Sequence, residues 1–211
     1  MVCPLCNKRK AKRLCPARAE SICTICCGTE REVTIDCPSE CEYLIASREY
    51  DWERHDFDIS KLPFPDTTIS ERFVREHEEL VTFIDYAICG FAAEHRDMVD
   101  TDVLAALQTL AESYRTLASG IYYEKPLDLP LQRELVGKLK SAIADFRKDQ
   151  TAHAGMTTLR DADIRDTLIF LTQFGATHNN GRPKGRAYLD HLRGFFAKDT
   201  FAKPTSLLVL P

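Results

Sequence analysis

The sequence predicts a mainly α protein, in which a small N-terminal two-zinc cysteine-rich module precedes an all-α helical bundle. Three observations support this. Eight of the nine cysteines lie between Cys3 and Cys41, two prolines interrupt residues 58–68, and apolar residues recur at helical spacing from residue 69 onward. We therefore expect a zinc-binding module over 1–57 that ends in a helix, a linker over 58–68 and a helical bundle over 69–211. A chain of 211 residues is long enough for two modest domains.

The spacing of the cysteines is typical of metal ligands. Two pairs, Cys3–Cys6 and Cys23–Cys26, have two residues between them, so that each pair can hold one tetrahedral metal from a tight turn. Cys37 and Cys41 straddle the start of a helix predicted over about 38–55, where one turn brings them onto one face. Eight thiolates are enough for two structural zinc ions, because full thiolate ligation leaves no position for water. An iron–sulfur cluster is the competing interpretation, although the spacing is not of ferredoxin type.

The adjacent pair Cys26 and Cys27 indicates how the ligands are shared. In an extended segment neighbouring side chains point to opposite sides, so the two cysteines would serve different metals. This predicts two interleaved zinc sites, one of Cys3, Cys6, Cys23 and Cys26 and the other of Cys15, Cys27, Cys37 and Cys41. An exchange of Cys26 and Cys27 between the sites stays open, and two sequential sites are a weaker alternative.

The order of these pairs, ending in a C-x3-C on a helix, resembles the cross-brace zinc fingers of the MYND and HIT types. The resemblance covers residues 3–41, where Cys15 lacks a partner two or three residues on and no histidine stands among the ligands. The whole chain also resembles a class of uncharacterised bacterial proteins in which such a finger precedes helices. That resemblance implies a fold and no activity.

The second domain shows about five helical segments. Their apolar stripes follow caps or turns, and we place them over 70–98, 101–120, 129–149, 161–175 and 186–198. The mostly apolar segment 206–210 near the C-terminus is interpreted as an extended tail docked on the bundle. The result is an antiparallel bundle.

Two basic segments have both a structural and a functional interpretation. The first carries Lys8, Arg9, Lys10, Lys12 and Arg13 between two ligand pairs, where cations offset the negative charge of zinc thiolates or contact phosphates. The second carries Arg182, Lys184 and Arg186. It is similar to the core of an AT-hook, and it also fits a turn between two helices that begins at Asn180-Gly181.

No catalytic motif stands in the sequence: there is no phosphate-binding glycine loop, no GxSxG and no HExxH. An enzyme would need an unrecognised site in the bundle, built around His77, His178 or His191. We expect instead a non-enzymatic protein-interaction or regulatory module. Its partner is expected to be a protein, with nucleic acid as the alternative and a homo-oligomer also allowed.

Charge and hydropathy limit the cellular location and the class of partner that we expect. The net charge is −4, and residues 30–58 carry ten acids against three arginines, which argues against a chain built to coat nucleic acid. No apolar segment reaches the roughly 18–20 residues that span a bilayer, and the N-terminus lacks the apolar core of a secretory signal. We therefore expect no membrane association and a cytoplasmic location, where clustered cysteines serve as metal ligands rather than disulfides.

Overall fold

Eight α-helices, one 3-10 helix and a two-stranded sheet make up the part of the chain described by this computed structural model, which covers residues 1–54, 58–118, 120, 123, 125–154, 156 and 159–201. The mainly α class and the N-terminal cysteine cluster are confirmed.

The first forty residues contain little regular structure. Strands β1 (Arg13–Cys15) and β2 (Glu20–Ile22) form an antiparallel hairpin, and helix α1 (Thr24–Glu30) follows it. The buried interior here consists of Ile22 and Ile35 together with cysteines. Such an interior offers little apolar burial, so this region needs another source of stability.

Helix α2 (Glu42–Glu53) starts later than expected. The sequence predicted a helix over 38–55 with Cys37 and Cys41 on one of its faces. Instead Cys41 is the residue that precedes the first turn, and its backbone N–H donates to the Pro38 carbonyl in a separate turn. Residues 55–57, which include the expected domain boundary, lie outside the described part.

The expected linker is anchored to the bundle. It holds a short 3-10 helix (Ile59–Lys61), with the Asp58 carboxylate accepting from the Ser60 N–H at 3.1 Å. Beyond it the Gln173 side-chain amide donates to the carbonyls of Pro63, Phe64 and Thr67 at 3.0–3.2 Å. One bundle side chain therefore fixes the path of the proline-rich segment.

Within the described residues the bundle contains six helices rather than five. These are α3 (Glu71–Glu76), α4 (Glu78–Glu94), α5 (Asp100–Ala118), α6 (Pro130–Ala154), α7 (Asp161–His178) and α8 (Ala187–Arg193). The additional break is at His77, whose φ of −117° and ψ of 20° leave the helical region. The tail over 206–210 lies outside the described residues.

Leucine and isoleucine from α4 to α8 form one continuous core. Tyr188 of α8 is fully buried within it, and its hydroxyl donates to the Leu171 carbonyl at 3.2 Å. Gly175 admits this ring, since a Cβ there would lie 2.6 Å from the Tyr188 ring. The bundle thus has the apolar interior that the first forty residues lack.

Candidate metal centre

Two tight turns position the first four cysteines. In the first, the Asn7 N–H donates to the Cys3 carbonyl at 2.8 Å, and the positive φ of Asn7 (51°) reverses the chain. In the second, Cys23 caps helix α1, and its sulfur accepts from the Cys26 N–H at 3.4 Å. Backbone N–H groups aimed at sulfur stabilise the thiolate form.

The four sulfurs of Cys3, Cys6, Cys23 and Cys26 lie within 4.8 Å of one another. The Cys6 and Cys23 sulfurs are 3.9 Å apart. Four Zn–S bonds of about 2.3 Å in a tetrahedron place the sulfurs about 3.8 Å apart, so the group has the size that zinc requires. Three of the four cysteines are buried. The first predicted ligand set is therefore confirmed as a group that could hold a metal ion.

The thiols of this group do not ionise equally. Hydrogen bonds, led by the backbone of Lys8, lower the pKa of Cys6 to about 6. Burial opposes ionisation of Cys3, yet backbone hydrogen bonds from Cys23, Cys6 and Leu5 outweigh it and lower its pKa. In contrast, the hydrogen bond to Cys23 and burial raise the pKa of Cys26 to about 12. Four thiolates this close repel one another, and a cation among them would relieve that repulsion.

Basic side chains of the segment 8–13 lie against sulfur. Burial disfavours the charge of Arg9, but its hydrogen bonds to the thiols of Cys23 and Cys6 raise its pKa. Arg13 donates through Nη1 to the Cys27 sulfur at 3.5 Å. These contacts favour charge compensation as the role of both arginines. Arg9 is nevertheless exposed to solvent, as are Lys8, Lys10 and Lys12.

The second predicted ligand set is not assembled. Among the described residues only one four-cysteine group is present, whereas the sequence predicted two zinc sites. The prediction of two interleaved sites also assumed that Cys26 and Cys27 lie in an extended segment, and this assumption is wrong. Cys26 and Cys27 lie on helix α1 rather than in an extended segment, so their side chains diverge by about 100°. The Cys27 sulfur accepts from Arg13 and, at 3.9 Å, from Arg31.

The other three thiols of that set are still neighbours. Burial raises the pKa of Cys37, and the nearby charges of Cys41 and Cys15 raise it further. Cys15 and Cys41 are buried, and Cys37 and Cys27 are half-buried against the same small core as the four-cysteine group. The four thiols of the second set therefore lie in one region, but their sulfurs do not surround a common point at which a metal ion could bind.

The basic loop over 182–186 contacts the N-terminal module. Arg182 donates through Nη1 to the carbonyls of Gly28 and Arg31 at 3.1 and 2.5 Å. Lys184 donates through Nζ to the Thr34 carbonyl at 2.9 Å. Arg186 pairs with Asp36 at 2.5 Å. The three cations that this loop contributes to the predicted nucleic-acid surface thus have intramolecular partners.

A buried carboxylate lies at the centre of this contact. Glu32 is 1% exposed, and its oxygens accept from Arg48 and from the Asn180 amide, each at 2.7 Å. Arg48 also pairs with Asp190 of α8 at 2.7 Å. We call Glu32, Arg48, Asn180 and Asp190 the Glu32 clamp. Sequence reasoning missed it because its members are up to about 160 residues apart and no local pattern connects them.

The three histidines of the enzyme alternative do not converge. His77 stacks on Phe73 with ring centroids 4.1 Å apart, and its Nδ1 lies 2.9 Å from the Phe73 carbonyl. His178 and His191 form a separate pair with ring centroids 4.1 Å apart, next to Trp52 of α2. Burial lowers the pKa of both, which keeps the pair neutral near pH 7.

Comparisons with known protein families, with curated proteins and with solved structures found no match for this chain. The resemblance of residues 3–41 to cross-brace fingers therefore stays a prediction. Within the described residues, no helix is both long enough and apolar enough to span a membrane.

Proposed function

We propose that this chain is a non-enzymatic protein-interaction module whose N-terminal region is built on structural zinc. The observation that supports this is the closed group of four thiols within 4.8 Å, together with its docking to the bundle through the Glu32 clamp. Four cysteines complete a tetrahedral shell, so the metal supplies folding energy rather than a site for substrate. The metal then determines the shape of a surface on which a partner docks.

A second structural zinc is part of this proposal. Cys15, Cys27, Cys37 and Cys41 would close around it once Cys27 turns away from Arg13 and Arg31. The packing of Cys15, Cys27 and Cys37 in one small core, with Cys41 close enough to raise the pKa of Cys37, supports the assignment. Elemental analysis of the chain purified under reducing conditions is then expected to give two zinc ions per chain. One zinc per chain would restrict the assignment to the four-cysteine group, and bound iron would contradict zinc altogether.

A pair of variants tests the ligands. Cys27→Ser is expected to lower the metal content by one ion, while Cys89→Ala, in the bundle core, is expected to leave it unchanged. If Cys27→Ser keeps the full metal content, Cys27 is not a ligand.

The interaction role is tested by cross-linking in cells. Wild-type protein is expected to form defined cross-linked complexes with other proteins that Cys23→Ser loses and Cys89→Ala retains. Complexes that persist in Cys23→Ser, or the absence of any complex, would contradict a metal-organised interaction surface.

Nucleic-acid binding is the second candidate, favoured by the exposure of Lys8, Lys10 and Lys12. It predicts binding to mixed DNA and RNA that weakens steeply with salt. The intramolecular partners of Arg182, Lys184 and Arg186 reduce the cations free for that role, which is why the protein-interaction role is preferred. Absence of binding at low ionic strength removes this candidate.

A further inference from the structure

A large groove runs between the N-terminal module and the bundle. Residues 16–17 and 36–40 form one wall, and residues 92–98 with 186–201 form the other. Its volume is about 1550 Å³. Small-molecule pockets measure about 300–1,000 Å³, so this groove is large enough for a polypeptide segment.

The floor of the groove is apolar. By floor we mean the apolar part of the lining, which includes the buried Ala92 and Met98 and the half-buried Phe196 and Phe201. These two rings meet edge to face at 5.3 Å, and both also pack on Tyr86. A floor of fixed rings and small side chains offers seats for apolar anchors of a bound segment.

The rim of the groove is basic, in contrast with the acidic chain as a whole. Four cations line the groove, namely Arg96, Arg186, Arg193 and Lys198, against the two acids Asp36 and Glu40. Arg186 is already paired with Asp36. Within the described residues Arg96 and Lys198 have no ion-pair partner, and both are exposed. Arg193 pairs with Asp190 at 3.8 Å, and Glu40 has no ion-pair partner among the same residues. Two unpaired cations against one carboxylate leave a net positive charge for a ligand.

We propose that this groove binds an acidic, amphipathic peptide segment of a partner protein, with apolar side chains on the floor and carboxylates at Arg96 and Lys198. The inference rests on the proposed interaction function and names the chemistry of its partner. Residues 202–211 of this chain follow Phe201 directly, but they contain no acid and one lysine, so they do not complement the rim.

Fluorescence anisotropy with a labelled peptide tests the proposal on the full, zinc-loaded chain. The probe is a 16-residue peptide with Leu and Phe at helical spacing and Glu between them, and its control has every Glu replaced by Lys. We expect the acidic peptide to bind at low salt and the basic peptide not to bind. The double variant Arg96→Glu, Lys198→Glu is expected to weaken binding by about tenfold or more.

The matched control is Lys125→Glu, Lys138→Glu, which makes the same change in net charge at exposed positions outside the groove. It is expected to bind like the wild type. Equal losses of peptide affinity in both double variants would show that only the overall charge of the protein matters, and would overturn the proposal. If inorganic phosphate displaces the peptide at concentrations similar to those of the peptide, Arg96 and Lys198 bind a small anion rather than a peptide, and the proposal is overturned. Binding that emerges only after residues 202–211 are removed would assign the groove to the chain's own tail.

A failure of the groove proposal can be distinguished from a failure of the proposed interaction function. If the Arg96→Glu, Lys198→Glu variant keeps every cross-linked complex of the wild type, the partner docks elsewhere and only the groove is excluded.

Discussion

The N-terminal module and the bundle reach a folded state by different physical means. The bundle buries leucine and isoleucine from five helices around Tyr188, whereas the interior of residues 3–37 is mostly sulfur with two isoleucines. A region this small cannot offset its conformational entropy by apolar burial alone, and metal ligation can supply the difference. Metal removal should therefore destabilise the N-terminal module, and truncation of a core side chain should destabilise the bundle.

The largest effect is expected from Cys23→Ser. It removes a ligand and the cap of α1, and structural zinc is worth roughly 10–16 kcal/mol of apparent binding energy in small fingers. We expect the module to lose its zinc and its protection from hydrogen exchange, while the bundle still unfolds cooperatively near the wild-type temperature. Hydrogen exchange read region by region makes the measurement. Collapse of both regions together would show that the bundle depends on the metal.

Leu107→Ala is the converse change, in the fully buried centre of α5. Leaving a cavity there is expected to reduce the free energy of unfolding of the bundle by about 2–5 kcal/mol. Denaturant unfolding measures this loss, and the zinc content is expected to stay at the wild-type value. Zinc loss under native conditions would show that the module cannot keep its metal on a weakened bundle.

Sequence reasoning succeeded where the signal is local. The CxxC spacing identified Cys3, Cys6, Cys23 and Cys26, and apolar periodicity located the long bundle helices. It failed at Cys26–Cys27, because the helix of α1 is too short for periodicity to reveal. It also placed a linker over 58–68 between two regions without foreseeing the Glu32 clamp, whose members meet only in the folded state. Residues that form long-range ion pairs do not recur at a regular spacing, so periodicity in the sequence does not reveal them.

Among the buried carboxylates of the bundle, Asp85 differs from Asp100, Asp102 and Asp163 in having an oxygen without a hydrogen-bond partner in the described structure. Asp85 of α4 is 5% exposed, and burial raises the pKa of its carboxyl to about 7. The folded protein therefore binds this proton more tightly than the unfolded chain, whose aspartate pKa is near 4. Stability is expected to fall as the pH rises from about 4 to 7, by at most roughly 4 kcal/mol for this group.

Asp85→Asn removes that titration. Unfolding free energies of the variant and the wild type, measured at each pH from 4 to 8, are expected to diverge with rising pH in favour of Asn. Taking the difference at each pH cancels the contributions of thiols, histidines and Asp100, whose pKa burial also raises to about 7. A difference that does not change with pH would mean that Asp85 titrates normally in the folded state.

The smallest effect should come from the contact that joins the two regions. Arg182→Met removes two hydrogen bonds to the carbonyls of Gly28 and Arg31 but keeps most of the aliphatic packing. Hydrogen bonds from a charged donor contribute about 1.5–3 kcal/mol each at most, and the half-buried position reduces that figure. We expect faster hydrogen exchange over residues 28–36 and faster zinc release to a chelator, with the bundle unchanged.

Arg72→Met is the control for Arg182→Met, because Arg72 forms an i,i+4 pair with Glu76 that is exposed to solvent and is therefore expected to contribute little to stability. If Arg182→Met releases zinc no faster than Arg72→Met, the module holds its metal independently of the bundle. The hydrogen bonds of Arg182 then only orient two regions that are each stable on their own. Faster release from Arg182→Met alone would instead make the bundle a stabiliser of the metal centre, because the loop over 182–186 contacts the segment that directly follows the Cys23–Cys26 turn.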